Sequence, residues 1–270
     1  MSAGAASLRP RTGVPGWRAW CLGGAVVVAL LALLPPLSTA ARRDEFAAAL
    51  QFSLFAIGLP AAVALGAPWR LFGLAADTAA GATPGMVDRI ADRRNRHRGL
   101  PWSLVLVGFD IGAAIAWHTP GAVAAVTHQG WLVAAEVASL LVVGLGLWLE
   151  LVASPPLTPR SGHLRRAVLA AVAMWSFWIL AYVAGLSNHG FYRNFHHLAG
   201  GLSDAADQQI ASALLWFVAA AAFMPVIFWN AFRWIQTDDD PDAELLALAR
   251  ADRRRGLPPM ASGSGGPAAT

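Results

Sequence analysis

The sequence predicts an all-α fold, a polytopic bundle of about six transmembrane helices. Three observations carry this reading. Hydrophobic residues make up 56% of the chain and charged residues only 13%, against near 25% charged in a soluble domain. Six apolar stretches recur along it, each of roughly the 20 residues that a helix needs to cross a hydrocarbon core about 30 Å thick. Arginines collect in alternate connections between those stretches, the pattern that sets topology in a membrane. The 270 residues then divide into a cytoplasmic tail over 1–18, a membrane domain over 19–235 and a cytoplasmic tail over 236–270. The end of that last tail is rich in Gly, Pro, Ser and Ala and is expected to be largely disordered.

The first apolar run lies between Arg18 and Arg42 and closes at Pro35-Pro36. Its basic start and the Ser38-Thr39-Ala40 that follows also resemble a signal peptide with a small-residue cleavage site. The second run covers 46–69 and contains Pro60, tolerated where neighbouring helices re-satisfy the freed backbone. After it, 83–98 reads as a short cytoplasmic helix carrying Asp88 and Asp92 beside an Arg cluster, a stop-transfer segment and headgroup anchor. The third run, about 100–117, has Asp110 in its middle. The fourth, 131–152, carries Glu136 and Glu150. The fifth covers 167–186 and the sixth 208–232, with Asn230 near its end. Trp102, Trp117, Trp131, Trp148 and Trp234 fall near run ends, as an aromatic belt requires.

Orientation follows from the basic residues, all 20 of which are Arg. The N-terminal tail, the loop after the second run (Arg89, Arg93, Arg94, Arg96, Arg98), the loop after the fourth (Arg160, Arg165, Arg166) and the C-terminal tail hold most of them. The intervening connections hold Arg42 and Arg43, then none, then Arg193. Both termini are therefore expected in the cytoplasm. A net charge of +4 and a pI near 10.5 arise from this topology and from retention against an anionic leaflet, not from nucleic-acid binding. Absence of Lys with abundant Ala and Arg suggests a bacterial genome rich in G and C. The single Cys21 forms no internal disulfide, and no Cys-x-x-Cys pair exists.

With that topology His118, His128, His189, His196 and His197 lie outside and only His97 and His163 inside. Neutral imidazole ligates copper, zinc, iron and nickel, so an outer metal site is one reading and solvated loop histidines the other. Carboxylates within spans are stronger signals, because a charge at the bilayer centre is costly and marks function. Asp110 is expected to face the bundle interior with Gln51 or Asn230 as its partner. Gly108 and Gly112 beside it have the small-residue spacing that lets a helix approach closely. Gln51, Glu136, Gln208 and Gln209 sit at similar outer depths and are expected to form a polar cluster, or else separate hydrogen bonds between helices; Asp207 counts with them as an intramembrane polar residue. No hydrolase triad, P-loop, dinucleotide fingerprint or His-Glu-x-x-His is present, so the chain is not expected to be an enzyme.

Several of these segments carry a resemblance. The stretch FAAALQFSLFAIGLPAAVALGAP (46–68) resembles the second span of CtaG-type cytochrome c oxidase assembly factors. Trp117-His118-Thr119-Pro120 is similar to that family's Trp-His-x-Pro turn, with similar spacing onward to Glu136 and to Gly144 and Trp148. The most specific likeness is Phe191-Tyr192 followed by LSDAADQQ (202–209) running into an apolar span with Trp216. The resemblance covers about 46–235. It implies a membrane-embedded factor for assembling haem–copper oxidases in the bacterial plasma membrane, linked to copper supply, with oxidase subunits and membrane lipid as partners. The chain departs from the family at two plausible ligand positions. Phe52 stands where members usually carry a His after the Gln of the second span, and Val137 where they carry one after the Glu of the fourth. His118 is the matched ligand that remains, so a copper site is expected at the outer surface, built from His118, His128, His196 and His197 near Asp204 and Asp207. A non-catalytic accessory subunit of a respiratory complex, and a small transporter using Asp110 and Glu136 as a proton or cation path, are the alternative functions. Reporter fusions at Thr127 and Gly162 are expected to report opposite membrane faces; the same face at both overturns the orientation.

Overall fold

A computed structural model describes residues 15–72, 74, 85–96, 100–186, 191, 192, 195, 201 and 203–236. The N-terminal tail, the C-terminal tail beyond 236, and His97, His189, His196 and His197 lie outside the described residues. The chain divides after Ala231; of the second unit only 232–236, the end of the last helix, is described. Among the described residues there are helices and no strand.

Five helical segments are each long and apolar enough to cross a membrane, and a bent pair supplies a sixth. The first is α1 (Gly16–Leu33), which begins just before the boundary expected at 19. After a short α2 (Leu37–Ala40), the second segment is continuous but not uniform. It comprises α3 (Glu45–Ser53), a π-helical turn (Leu54–Gly58), α4 (Leu59–Gly66) and α5 (Pro68–Leu71). Pro60 explains the widened turn. It has no N–H for the carbonyl of Ala56, and its ring would strike that carbonyl in a regular helix, so one turn opens to relieve both.

The helix α6 (Met86–Arg96) forms as the sequence predicts. The third run is α7 (Leu100–Trp117), and beyond it the chain does not loop. Thr119 adopts an extended conformation, its side chain accepts from the N–H of Ala122, and Pro120 takes the first helical position of α8 (Pro120–His128). Pro is pre-set for that position and Thr suits the cap. The described part of α7 and α8 meet at 68°, so the expected outer loop is a second helix. Then follow α9 (Gly130–Leu151), α10 (His163–Gly185) and α11 (Asp204–Gln236). The last starts four residues before the run expected at 208, because Ser203 accepts from the N–H of Ala206 and caps it.

The core lies where α3, the π turn and α4 meet α7, α9, α10 and α11. At its centre the rings of Trp148 and Phe223 stack 5.1 Å apart. Two glycines permit the closest approaches. A Cβ on Gly66 would stand 3.2 Å from the backbone of Leu22 in α1, and one on Gly144 would stand 2.8 Å from both the Ala56 carbonyl and the Pro60 ring. Gly144 thus meets the carbonyl that Pro60 leaves without a helical donor. The spacing of Gly108 and Gly112 has no such use, since nothing in the described chain comes within 4 Å of either Cβ position.

On the side of the Arg-rich connections, Glu150 is fully buried. Arg94 of α6 donates to it at 3.0 Å, and Arg160 donates through Nε at 2.9 Å and also through Nη2. Arg94 also donates to the carbonyl of Leu149. Burial pulls the Arg94 guanidinium below its ordinary pKa, against the opposing charge of Glu150. Arg94, of the cluster read as a headgroup anchor, and Arg160, of the next Arg-rich connection, therefore turn inward. Gly144→Ala is expected to lower thermal stability in detergent by about 1–3 kcal/mol, since a well-packed contact has no room for a methyl group; an unchanged Tm would show that the second segment and α9 can separate at no cost.

Candidate functional site

The outer cluster expected from the sequence is in part a cavity. It has a volume of about 90 Å³ and lies between α3, the C-terminal end of α7, α9, α10 and α11. Gln51, Phe52, His118, Glu136 and Val137 all line it. The two positions where the chain departs from the resemblance therefore face the same space as the histidine that remains.

His118 follows the last residue of α7, where the Thr119-Pro120 break ends the helix. Its Nδ1 lies 3.1 Å from the carbonyl of Ala114, which fixes the proton on that nitrogen and leaves the lone pair on Nε2. The ring of Phe52 stands edge-on to the imidazole, with centroids 4.1 Å apart at 82°. Trp117 Nε1 donates to Ser139 Oγ at 2.9 Å, which in turn donates to the Glu136 carbonyl, tying the end of α7 to α9. Tyr192 closes one side by donating its phenol to the His118 carbonyl at 2.9 Å. Burial raises the Tyr192 phenol above its ordinary pKa, so it remains a neutral donor.

The remaining polar residues of the expected cluster hold the walls. Gln51 donates its amide to the carbonyl of Ala32 at the end of α1. Asp207 lies behind the cavity and accepts from the backbone N–H groups of Glu45 and Phe46 at 2.6 and 2.8 Å. It caps α3 from another helix, where the neighbouring Asp44 makes no cap with its own side chain. Gln208 accepts from the N–H of Phe191 at 2.6 Å and donates to the Ala184 carbonyl.

Asp110 is placed differently from expectation. It is buried, as a membrane carboxylate should be, but it pairs with neither Gln51 nor Asn230. Gln51 is engaged by α1, and Asn230 bonds the His163 ring at 3.0 Å and the Val226 carbonyl. One Asp110 oxygen has no hydrogen-bond partner among the described residues. His118 and His128 do not come together either, because α8 separates them with about 1.5 Å of axis per residue. Nothing in the sequence marks Asp207 as a cap in trans; its local signal is that of an acidic residue in the first turn of a helix.

The amino-acid sequence matches the family model for cytochrome c oxidase caa3 assembly factors (Caa3_CtaG) over residues 2–237. The chain belongs to this family. The match extends through α1, beyond the segment from 46 where the resemblance began. No curated protein and no solved structure matches the chain.

Within the family the question is whether these residues suit copper. Among its described lining residues the cavity offers one imidazole with a free Nε2 and the carboxylates of Glu45 and Glu136, while Phe52 and Val137 contribute no donor. Among the described residues no three His, Cys, Asp or Glu side chains come close enough to hold one metal ion. The donor set that the described residues supply therefore does not fit a resident copper ion. Asp207→Ala is expected to destabilise the bundle by about 1–3 kcal/mol, since it removes a cap and strands two buried N–H groups; an unchanged Tm would show that α3 is held by other contacts.

Proposed function

We propose that this protein is a membrane-embedded assembly factor for a caa3-type cytochrome c oxidase, acting by binding oxidase subunits rather than by catalysis. The observation that carries the reading is the family match across nearly the whole described bundle. The inventory of side chains supports a non-catalytic role, since neither a nucleophile–base pair nor a cofactor motif appears in the sequence. We place it in a bacterial plasma membrane with both termini cytoplasmic, on the strength of the repeated Arg asymmetry and the Lys-free composition.

Copper supply is the second reading. It is favoured by the free Nε2 of His118 at the cavity wall and opposed by the lack of partner ligands there; it would draw on His196 and His197 of the outer connection. An accessory subunit and a proton or cation path through Asp110 and Glu136 remain the rival functions. Stable stoichiometric recovery with the oxidase favours the former, and flux in liposomes abolished by Asp110→Asn favours the latter.

Deletion of the gene is expected to lower oxidase activity to a small fraction of wild type, and complementation to restore it. Restoration by added copper alone would favour copper supply, whereas lost activity that copper does not rescue favours assembly through subunit binding. Wild-type oxidase activity in the deletion strain would remove the assembly role altogether.

A further inference from the structure

Among its described lining residues the cavity has two carboxylates and no guanidinium. Glu45 opens α3 and is only 7% exposed, Glu136 stands on α9, and both side chains line the cavity. Neither carboxylate has a hydrogen bond or ion pair among the described residues. The contrast with Glu150 is direct, for that carboxylate is buried against two arginines. Asp204 and Asp207 add like charge near Glu45. Ser212 Oγ, on the α11 wall, is also buried without a partner among the described residues. Buried polar groups in native structures are paired with protein, water or a bound species, so the two acids and the hydroxyl call for one.

The rest of the lining specifies what kind. Phe52, Phe55, Trp117, Tyr192 and Phe195 supply aromatic wall, with aliphatic residues between them. Ring faces carry a negative quadrupole that attracts cations, and cages of this type take alkylated ammonium groups. An anion would meet two carboxylates and, among the described lining residues, no guanidinium to offset them. A bare metal ion would find too few ligands. A strongly hydrated cation would lose its water to an apolar wall, whereas one that carries its own hydrocarbon would not. We infer that the cavity binds a small organic ammonium group, with Glu136 as its counter-charge and the aromatic wall around its methyl or methylene groups.

The dimensions agree. A volume of about 90 Å³ holds several waters or one such headgroup. Glu45 is the first residue of α3 and Trp117 the last of α7, so the cavity lies toward the ends of these helices. An ammonium group can reach it from the aqueous phase or as the headgroup of a choline or ethanolamine lipid. His118 does not compete for the acids, since its Nδ1 proton is committed to Ala114 and Phe52 stands against its ring. The inference does not depend on the role in oxidase assembly.

The test uses the full-length purified protein titrated with tetramethylammonium and choline, and with the uncharged tert-butyl isostere of choline. Binding of the cations but not the isostere is expected, and Glu136→Gln should weaken it at least about tenfold, as removing one partner of a desolvated charge pair does. Phe195→Leu, in an outer connection outside the helices, should weaken it by roughly threefold. The lipid source is read by native mass spectrometry from nanodiscs of phosphatidylethanolamine or phosphatidylglycerol. Retention of the ethanolamine lipid by wild type but not by Glu136→Gln, with the soluble amines inactive, assigns the headgroup as the ligand. Equal binding of the uncharged isostere overturns the inference, and so does failure to hold either the soluble cations or the ethanolamine lipid. Both of those outcomes are read on wild-type protein and stand even where Glu136→Gln fails to fold.

Discussion

Each helix end in an apolar surrounding leaves backbone groups with no partner in its own helix, and hydrocarbon offers none. This bundle meets that constraint with side chains sent from other elements. Gln51 of α3 donates to Ala32 at the end of α1, and Arg18 of α1 donates to Leu65 at the end of α4. Ser154 reaches the Ala64 carbonyl one residue earlier. Arg94 of α6 donates to Leu149 near the end of α9, Gln208 of α11 to Ala184 near the end of α10, and Asp207 accepts from the first N–H groups of α3. Each such contact satisfies a terminus and docks two elements together, so termination of the helices and assembly of the bundle are one event. With every contact worth on the order of 1 kcal/mol in net terms, the set forms a substantial share of the 5–15 kcal/mol by which a folded protein is stable.

This explains which features were legible in the sequence. The apolar runs were, because bilayer thickness sets their length and the arginines mark their ends. Asp110 was recognisable as buried for the same reason: a carboxyl that faces lipid is too costly. Its partner was not legible, since the amide of Gln51 had a helix terminus to satisfy and Asn230 had His163 and its own helix. Proximity in hydropathy depth does not reveal such competition. Thr119-Pro120 reads as a turn, yet the same two residues are the cap and first position of α8, and the Ala- and Val-rich sequence after them decides for helix. The π turn follows from Pro60, but whether a proline kinks a helix, breaks it or widens one turn depends on what waits across the interface, here Gly144.

The candidate site was legible as a depth rather than as a cavity. Gln51, Glu136, Asp207 and Gln208 share one layer of the bundle, but their tasks divide. Only Glu136 presents its acid to the open space as a partnerless group; Gln51 lines that space while its amide is spent on α1, and Asp207 and Gln208 stand behind the wall. The division matters chemically. Because Gln51 is fixed to Ala32, the next residue on α3 is held facing the cavity, and in this chain that residue is Phe52. A ring at this position lies edge-on to His118 where a donor would have been needed. The same scaffold therefore presents an aromatic wall in place of a ligand set, with no change in the helices that hold it.

Four of the acids within or at the ends of the spans show how unevenly the cost of a charge in a membrane protein is distributed. Glu150 is matched by two guanidiniums, and that of Arg94 also donates to the Leu149 carbonyl, so its burial ties together the Arg-rich side of the bundle. Asp110 is buried with an unpartnered oxygen among the described residues, and it does not line the cavity. Glu45 and Glu136 differ from both, since they border a cavity rather than packed side chains. An acid sealed in the core can lower its energy only by giving up its charge, whereas one that borders a cavity can do so by admitting a partner. Nothing else in the bundle has to move for that to happen, because the cavity walls are already fixed by the contacts that close the helix ends. A partner entering there meets a preorganised site and does not bear the cost of ordering it.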